Sequence, residues 1–207
     1  MVIGITGGSG SGKTTFAEQL AKRLGQGDSL ILSQDHYYLD RSGVPPAERK
    51  HINFDHPAAI DFDLLAEQLS ALKAGQAVAR PQYSYLSCTR ERVPVPVLPT
   101  RYILLEGLFI LHDTRIRSLL DFSVFLLAGR EVRLKRIVGR DTSERGRTEA
   151  EVKQRFREVV EPMHRQFIAP MKGMATMVIR HQHTKNDAYR LMETLRNFNF
   201  HSNPILP

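Results

Sequence analysis

Five short stretches of the chain are almost continuously apolar: Val2–Thr6, Leu30–Leu32, Tyr102–Leu105, Phe122–Leu127 and Met177–Ile179. Such runs read as strands buried on both faces. Between them the apolar residues recur every three to four positions. Phe16, Ala17, Leu20, Ala21 and Leu24 predict a helix over Lys13–Leu24, stopped by Gly25 and Gly27. Asp61 caps a second helix carrying Phe62, Leu65, Leu69 and Leu72, which ends at Gly75. Further helices are expected over Thr114–Leu120, Glu131–Asp141 and Glu149–Phe167, with a last one marked by Ala188, Leu191, Met192 and Leu195. Apolar strands alternating with amphipathic helices predict an α/β fold, a parallel sheet flanked by helices on both faces.

Two regions break this rhythm. Ser33–Pro57 is irregular and rich in polar aromatics and prolines. In 76–99, Val78, Tyr83, Tyr85, Val93, Val95 and Val97 alternate with polar residues or prolines. That reads as an antiparallel hairpin excursion, held off the main sheet by its prolines. It falls at the carboxyl edge of the sheet, where ligands of such folds bind. No repeat or linker divides the chain, so residues 1–207 are expected to form one domain.

The first strand runs straight into Gly7-Gly8-Ser9-Gly10-Ser11-Gly12-Lys13-Thr14-Thr15. The spacing fits Gly-x-x-x-x-Gly-Lys-[Ser/Thr], and its context, strand before and helix after, is the one this motif requires. Glycines let successive N–H groups turn into one concave nest, and the following helix aims its positive end at the same spot. Lys13 would neutralise the outer phosphates, and the Thr14 hydroxyl would hold Mg²⁺. The motif points to a nucleoside triphosphate but does not separate kinases from GTPases, ATPases or motors.

Charge sharpens the picture. Lys and Arg number 29 against 22 Asp and Glu, a net of +7, which suits an anionic partner. Between Arg130 and Arg165 there are 11 basic and 7 acidic residues, so more than half the excess sits in one stretch. A hydrophobic share of 42% is ordinary for a globular protein. The one cysteine, Cys88, excludes a disulfide framework and a Cys-rich zinc site. No apolar run approaches the ~20 residues that span a bilayer, and the N-terminus lacks a secretory pattern. A cytoplasmic protein with no membrane partner is expected.

Two acids stand at strand ends: Asp35 follows the second strand and Glu106 closes the third. In a parallel sheet both lie near the cradle, where one could hold Mg²⁺ and the other accept a hydroxyl proton, or both contribute. The matching segments now become specific. They are Ile5–Thr15, Ser33-Gln34-Asp35-His36-Tyr37-Tyr38, Asn53-Phe54-Asp55-His56-Pro57, Pro81–Tyr85, Glu106-Gly107, Arg140–Arg147 and Glu161-Pro162-Met163-His164. In these the chain resembles the uridine/cytidine kinases of the phosphoribulokinase/uridine kinase superfamily, a P-loop fold with a small β-hairpin lobe and a helical lid. The resemblance implies ATP or GTP as donor, Mg²⁺, a nucleoside acceptor and a homo-oligomer. It implies Asp35 as general base close to the metal, with Lys13 on the phosphates and Thr14 and Glu106 placing the metal. It assigns Asp55 to the ribose hydroxyls and Phe54, Tyr38 and Tyr83 to the nucleoside pocket. Arg140, Arg145 and Arg147 fall in a lid over about 140–165, the first two facing the triphosphate and the last near the base.

Four positions depart from that pattern, all on the acceptor side. Cys88 stands where a histidine usually reads the pyrimidine edge, and a thiol is a weaker hydrogen-bonding partner. Ser84 replaces an acid, Ile137 an arginine that helps hold ribose, and Arg155 a glutamine. The donor half is expected to be intact and the acceptor half altered, so a different small hydroxyl acceptor is the alternative.

Two other classes have weaker support. Asp40-Arg41-Ser42-Gly43 and Thr184-Lys185-Asn186-Asp187 resemble GTPase switch and guanine-reading motifs, but both are short. Nucleic-acid binding is not expected: no recognition motif is present, Trp is absent and the basic residues are interleaved with acids. His181 and His183 lack a third partner at ligand spacing and read as exposed rather than metal-binding.

Overall fold

The computed structural model describes residues 1–25, 27–49, 52–180, 191, 193 and 194. The chain opens with strand β1 (Val2–Gly7), helix α1 (Lys13–Leu24) and β2 (Ser29–Ser33). A single turn, α2 (Pro46–Arg49), and helix α3 (Phe62–Lys73) follow. Four short strands come next: β3 (Val78–Arg80), β4 (Tyr83–Ser84), β5 (Thr89–Arg90) and β6 (Val95–Val97). The second half contains β7 (Tyr102–Gly107), α4 (Thr114–Leu119), β8 (Phe122–Leu127), α5 (Arg130–Glu144), α6 (Glu149–Arg155), α7 (Glu161–Met163) and β9 (Met177–Arg180).

The five apolar runs form one parallel sheet in the order β2–β7–β1–β8–β9. Side chains alternate between its faces. Ile3, Ile5, Leu104, Val124 and Leu126 pack on one side with Phe16, Ala17 and Leu20 of α1. Val2, Ile103, Leu105 and Phe125 pack on the other with Leu65, Leu69 and Leu72 of α3 and Ile116 of α4. Each fully buried Leu or Ile contributes about 1.5–3 kcal/mol. Burial on both faces is why these strands show no polar alternation. No helix among the described residues is long and apolar enough to cross a membrane.

Helix α3 begins as its sequence indicates, with the Asp61 carboxylate accepting from Leu64 N at 3.1 Å. The excursion is a ribbon of two antiparallel pairs, β3 with β6 and β4 with β5, separate from the main sheet. Arg90 ties it to the body by donating to the Tyr38 carbonyl at 2.9 Å and pairing with Asp61 at 2.9 Å.

The structure corrects the single helix expected over 149–167. A capping box starts α6: Thr148 Oγ1 accepts from Glu151 N at 3.3 Å, and Glu151 Oε2 accepts from Thr148 N at 2.8 Å. The rod then widens into a π turn over Phe156–Val160, narrows through α7, widens again over His164–Ile168 and tightens to 3₁₀ over Ala169–Met174. Two prolines are the physical reason: Pro162 follows the first wide turn and Pro170 the second. A proline has no N–H to donate, and its ring crowds the carbonyl four residues back, which the wider turn relieves. The helix expected around Ala188, Met192 and Leu195 lies outside the described residues, of which Leu191 is helical and buried.

Candidate active site

The glycine-rich loop leaves β1 at Gly7 and enters α1 after Gly12. Gly10 has φ +76°, and a Cβ there would stand 2.6 Å from the Arg133 carbonyl oxygen. Only glycine fits such a position. Ser11 N donates to Gly8 O at 2.9 Å and closes the turn. No side chain caps the start of α1. Its first N–H groups therefore face the concavity of the loop, an anion-binding arrangement. Lys13 Nζ spans it, donating to Gly7 O at 3.1 Å and Gly8 O at 3.2 Å. Burial pulls the Lys13 pKa below its ordinary value, and the charges of Glu106 and Asp35 oppose that pull.

Behind the loop stands a wall that the motif does not announce. Arg133 of α5 pairs with Glu161 at 2.6 Å, both largely buried. Arg136 donates to the carbonyls of Gly10 and Ser11, each at 3.2 Å. A Cβ on Gly8 would lie 2.8 Å from His164 Nδ1. Burial, aided by the Arg133 charge, lowers the His164 pKa to about 4, so its imidazole is neutral at ordinary pH. Ser11 Oγ, Arg133 Nε and Nη1 and His164 Nδ1 are buried without a partner among the described residues. Buried polar atoms are nearly always satisfied, so four orphans around one loop fit a polar ligand there. In the sequence, only the Glu161–His164 segment marked this wall.

Sheet register carries the acids to the same edge. Ser33 of β2 and Ile5 of β1 both pair with Glu106 of β7. Glu106 accepts from Ser33 Oγ at 2.6 Å. The next residue has to be small: a Cβ on Gly107 would stand 2.4 Å from Gln34 Cβ. That close approach brings Asp35, one residue after Gln34, beside Glu106. Burial and the Asp35 charge raise the Glu106 pKa to about 6, against the pull of Lys13. Two carboxylates that repel one another, with the Thr14 hydroxyl at the adjoining helix start, make an all-oxygen donor set. Mg²⁺ uses such a set, taking one or two carboxylates and completing its shell with phosphates and water. No cluster of three or more His, Cys, Asp or Glu suited to a metal occurs among the described residues.

The aromatics Tyr38, Phe54 and Tyr83 pack together in one cluster. Tyr38 lies 5.4 Å from Phe54 and 5.1 Å from Tyr83, centroid to centroid. Tyr38 also donates its hydroxyl to Phe54 O at 3.2 Å. Asp55 is buried and forms an ion pair with Arg155 at the end of α6. Burial raises the Asp55 pKa, with Arg155 the strongest opposing charge. Cys88 adopts φ +55° at the ribbon tip, where its thiol lies beside Tyr83. Ser84 pairs with Thr89 in the ribbon. Ile137 is core: it packs in one cluster with Val152, Phe156 and Val160. Tyr85 donates its hydroxyl to Asp35 Oδ2, a contact that sequence reading did not foresee.

The basic segment organises around one acid. Asp141, almost wholly buried, receives Arg140 at 2.8 Å, Arg147 at 3.0 Å and Arg145 at 3.6 Å. Arg145 also lies over the Tyr85 ring, 4.6 Å from its centroid. Arg140 is near enough to act electrostatically on Lys13 and Asp55, and Arg145 on Asp55.

The GTPase-like Asp40 has a local structural job. Its carboxylate accepts from Ser42 N at 3.1 Å, Ser42 Oγ at 2.7 Å and Arg90 N at 3.2 Å, away from the strand ends. Thr184–Asp187, His181 and His183 lie outside the described residues.

Comparison with known proteins agrees with this geometry. The profile of the phosphoribulokinase/uridine kinase family matches residues 2–188. A uridine kinase of Bacillus mycoides is 44% identical over 179 residues, covering 86% of this chain and 84% of that protein. The uridine kinase of Deinococcus deserti is 42% identical over 180 residues, 87% of each chain. A solved structure of a possible uridine kinase from Bacillus stearothermophilus superposes with a TM-score of 0.55 at 23% identity, covering 86% of this chain and 88% of that one. A strand-to-glycine-loop-to-helix cradle, acids on the adjoining strand ends and a match over most of the chain agree: the protein belongs to the phosphoribulokinase/uridine kinase family and is a phosphotransferase with an alcohol acceptor.

Proposed function

We propose that this chain transfers the terminal phosphate of ATP or GTP to the 5′-hydroxyl of a pyrimidine nucleoside, uridine or cytidine. The observation that carries the reading is that Asp35 and Glu106 stand beside Lys13 of the phosphate cradle, with Asp55 and the Tyr38–Phe54–Tyr83 cluster within reach of Asp35. The loop from Gly7 to Thr15, Ser9 included, holds the triphosphate through its N–H groups, and Lys13 screens the outer charge. Thr14, Asp35 and Glu106 would hold Mg²⁺, which when bound draws charge from the phosphates.

Tyr38, Phe54 and Tyr83 wall the nucleoside. Asp55 accepts from the ribose hydroxyls, and Cys88 and Arg147 lie toward the base. Asp35 takes the proton of the 5′-hydroxyl as its oxygen attacks the terminal phosphorus. The bond from that phosphorus to the bridging oxygen breaks, and the diphosphate leaves. Arg140 and Arg145, on a lid over about 140–165, close on the phosphates and keep water out.

The test is release of nucleoside diphosphate, measured over a panel of nucleosides and small hydroxyl compounds with magnesium. Uridine or cytidine is expected to exceed every other acceptor by at least about tenfold. A non-nucleoside alcohol as the best acceptor would replace this reading. Asp35→Asn should lower transfer by about a thousandfold while nucleotide binding persists. Unchanged transfer would remove Asp35 from the base role.

A further inference from the structure

The Tyr85 hydroxyl donates to the carboxylate that the proposed reaction needs free. Tyr85 belongs to no strand; it sits at the tip of the ribbon, 50 residues from Asp35 in sequence. Its ring packs edgewise on Tyr38 at 6.4 Å and Tyr83 at 5.7 Å, and the Arg145 guanidinium covers it at 4.6 Å. The residue is 44% exposed, yet its hydroxyl is turned inward onto Asp35 Oδ2. One side chain thus joins the sheet edge, the hairpin and the basic segment. Its O–H stands where an acceptor O–H must come, and it offers the same hydrogen bond.

We infer that Tyr85 is a stand-in for the acceptor alcohol: it occupies Asp35 while the acceptor site is empty and must be displaced by the arriving hydroxyl. This rests on Asp35 being the base of the proposed reaction. The phenol itself does not react, because its ring is fixed among Tyr38, Tyr83 and Arg145 and cannot carry the oxygen forward to a phosphorus. The consequence is protection of the donor from water. With Asp35 engaged, a water in the cleft lacks the group that would orient it and take its proton. With Asp35 released, water oxygen attacks the terminal phosphorus, its proton passes to Asp35, the bond to the bridging oxygen breaks, and diphosphate and inorganic phosphate leave.

The experiment compares the full-length chain with Tyr85→Phe, which keeps the ring and removes only the hydroxyl. Phosphate release from ATP and magnesium is measured without acceptor, and acceptor KM with it. Acceptor-free hydrolysis should rise about tenfold and acceptor KM should fall about threefold, because a charge-assisted hydrogen bond no longer competes. The added hydrolysis should vanish in Tyr85→Phe/Asp35→Asn. Hydrolysis at or below that of the parent would overturn the inference, and so would added hydrolysis that survives loss of Asp35. Failure of the base assignment is read separately: it shows as acceptor phosphorylation persisting in Asp35→Asn alone, whatever Tyr85→Phe does.

Discussion

The two halves of the cleft are built by opposite strategies. The phosphate side is made of consecutive residues, 7 to 15, and its shape is held by backbone conformation and by a wall of Arg133, Arg136 and His164. The acceptor side is made of side chains from distant segments: Asp35, Tyr38, Asp55, Tyr83, Tyr85 and Arg155. A backbone site tolerates little change, because each substitution meets a fixed atom. A side-chain site can exchange partners while keeping its outline, and three of the four departures from the family pattern, Ser84, Cys88 and Arg155, concern that side, whereas Ile137 packs in a small core next to Gly10.

Four substitutions sharpen this contrast. Lys13→Ala should cost the most, lowering kcat/KM at least about a thousandfold with every acceptor, since a partly buried ammonium on the phosphates has no substitute. Steady-state assays with two unrelated acceptors would show whether the loss is independent of acceptor. Arg155→Gln should raise acceptor KM about tenfold and leave donor KM within about twofold, because it strips the counter-charge from Asp55 alone. An equal change in both constants would mean that the halves are not separable.

Cys88→His should raise kcat/KM for uridine about threefold, measured against cytidine and a purine nucleoside. The φ of +55° at this position is one that histidine accepts more readily than most residues. A loss would show that the pyrimidine edge is read from elsewhere. The smallest effect is one of pH. The folded His164 binds its proton only near pH 4, while the unfolded imidazole binds near its ordinary value of 6.5. Stability should therefore fall as pH drops from 6.5 toward 4 and be unaffected above 6.5. Arg133, Lys13 and Arg165 favour the neutral ring, and Glu161 opposes them. His164→Asn should remove that share of the acid loss, seen as a smaller Tm difference between melts at about pH 7.5 and about pH 5.

What the sequence disclosed follows the same division. The five strands, the order of helices and the cradle are written in local signals: apolar runs, three-to-four spacing, glycines at fixed offsets. Asp61 as a cap and Glu106 at a strand end are equally local. The contacts of Asp35 with Tyr85 and of Asp55 with Arg155 span 50 and 100 residues, and no spacing rule reaches that far. Ile137 shows the converse. Its substitution looks like a lost ribose contact in the sequence, whereas the fold places it in a small core with Val152, Phe156 and Val160. The π turns were hidden because residues 149–167 keep helical periodicity throughout, and the prolines that follow each wide turn, Pro162 and Pro170, are what hint at the change of pitch.

That rod has a further consequence. It touches both halves: Arg155 at one end rests on Asp55, and Glu161 and His164 farther along rest on Arg133 and Gly8. Between those footholds its winding holds extra residues per turn. Adding or dropping one residue there would rotate every later side chain by about 100°. One foothold would then be lost whichever end stayed in place. The spacing from 155 to 164 is therefore a ruler, and its length fixes which residues the rod can reach as firmly as any single group it carries.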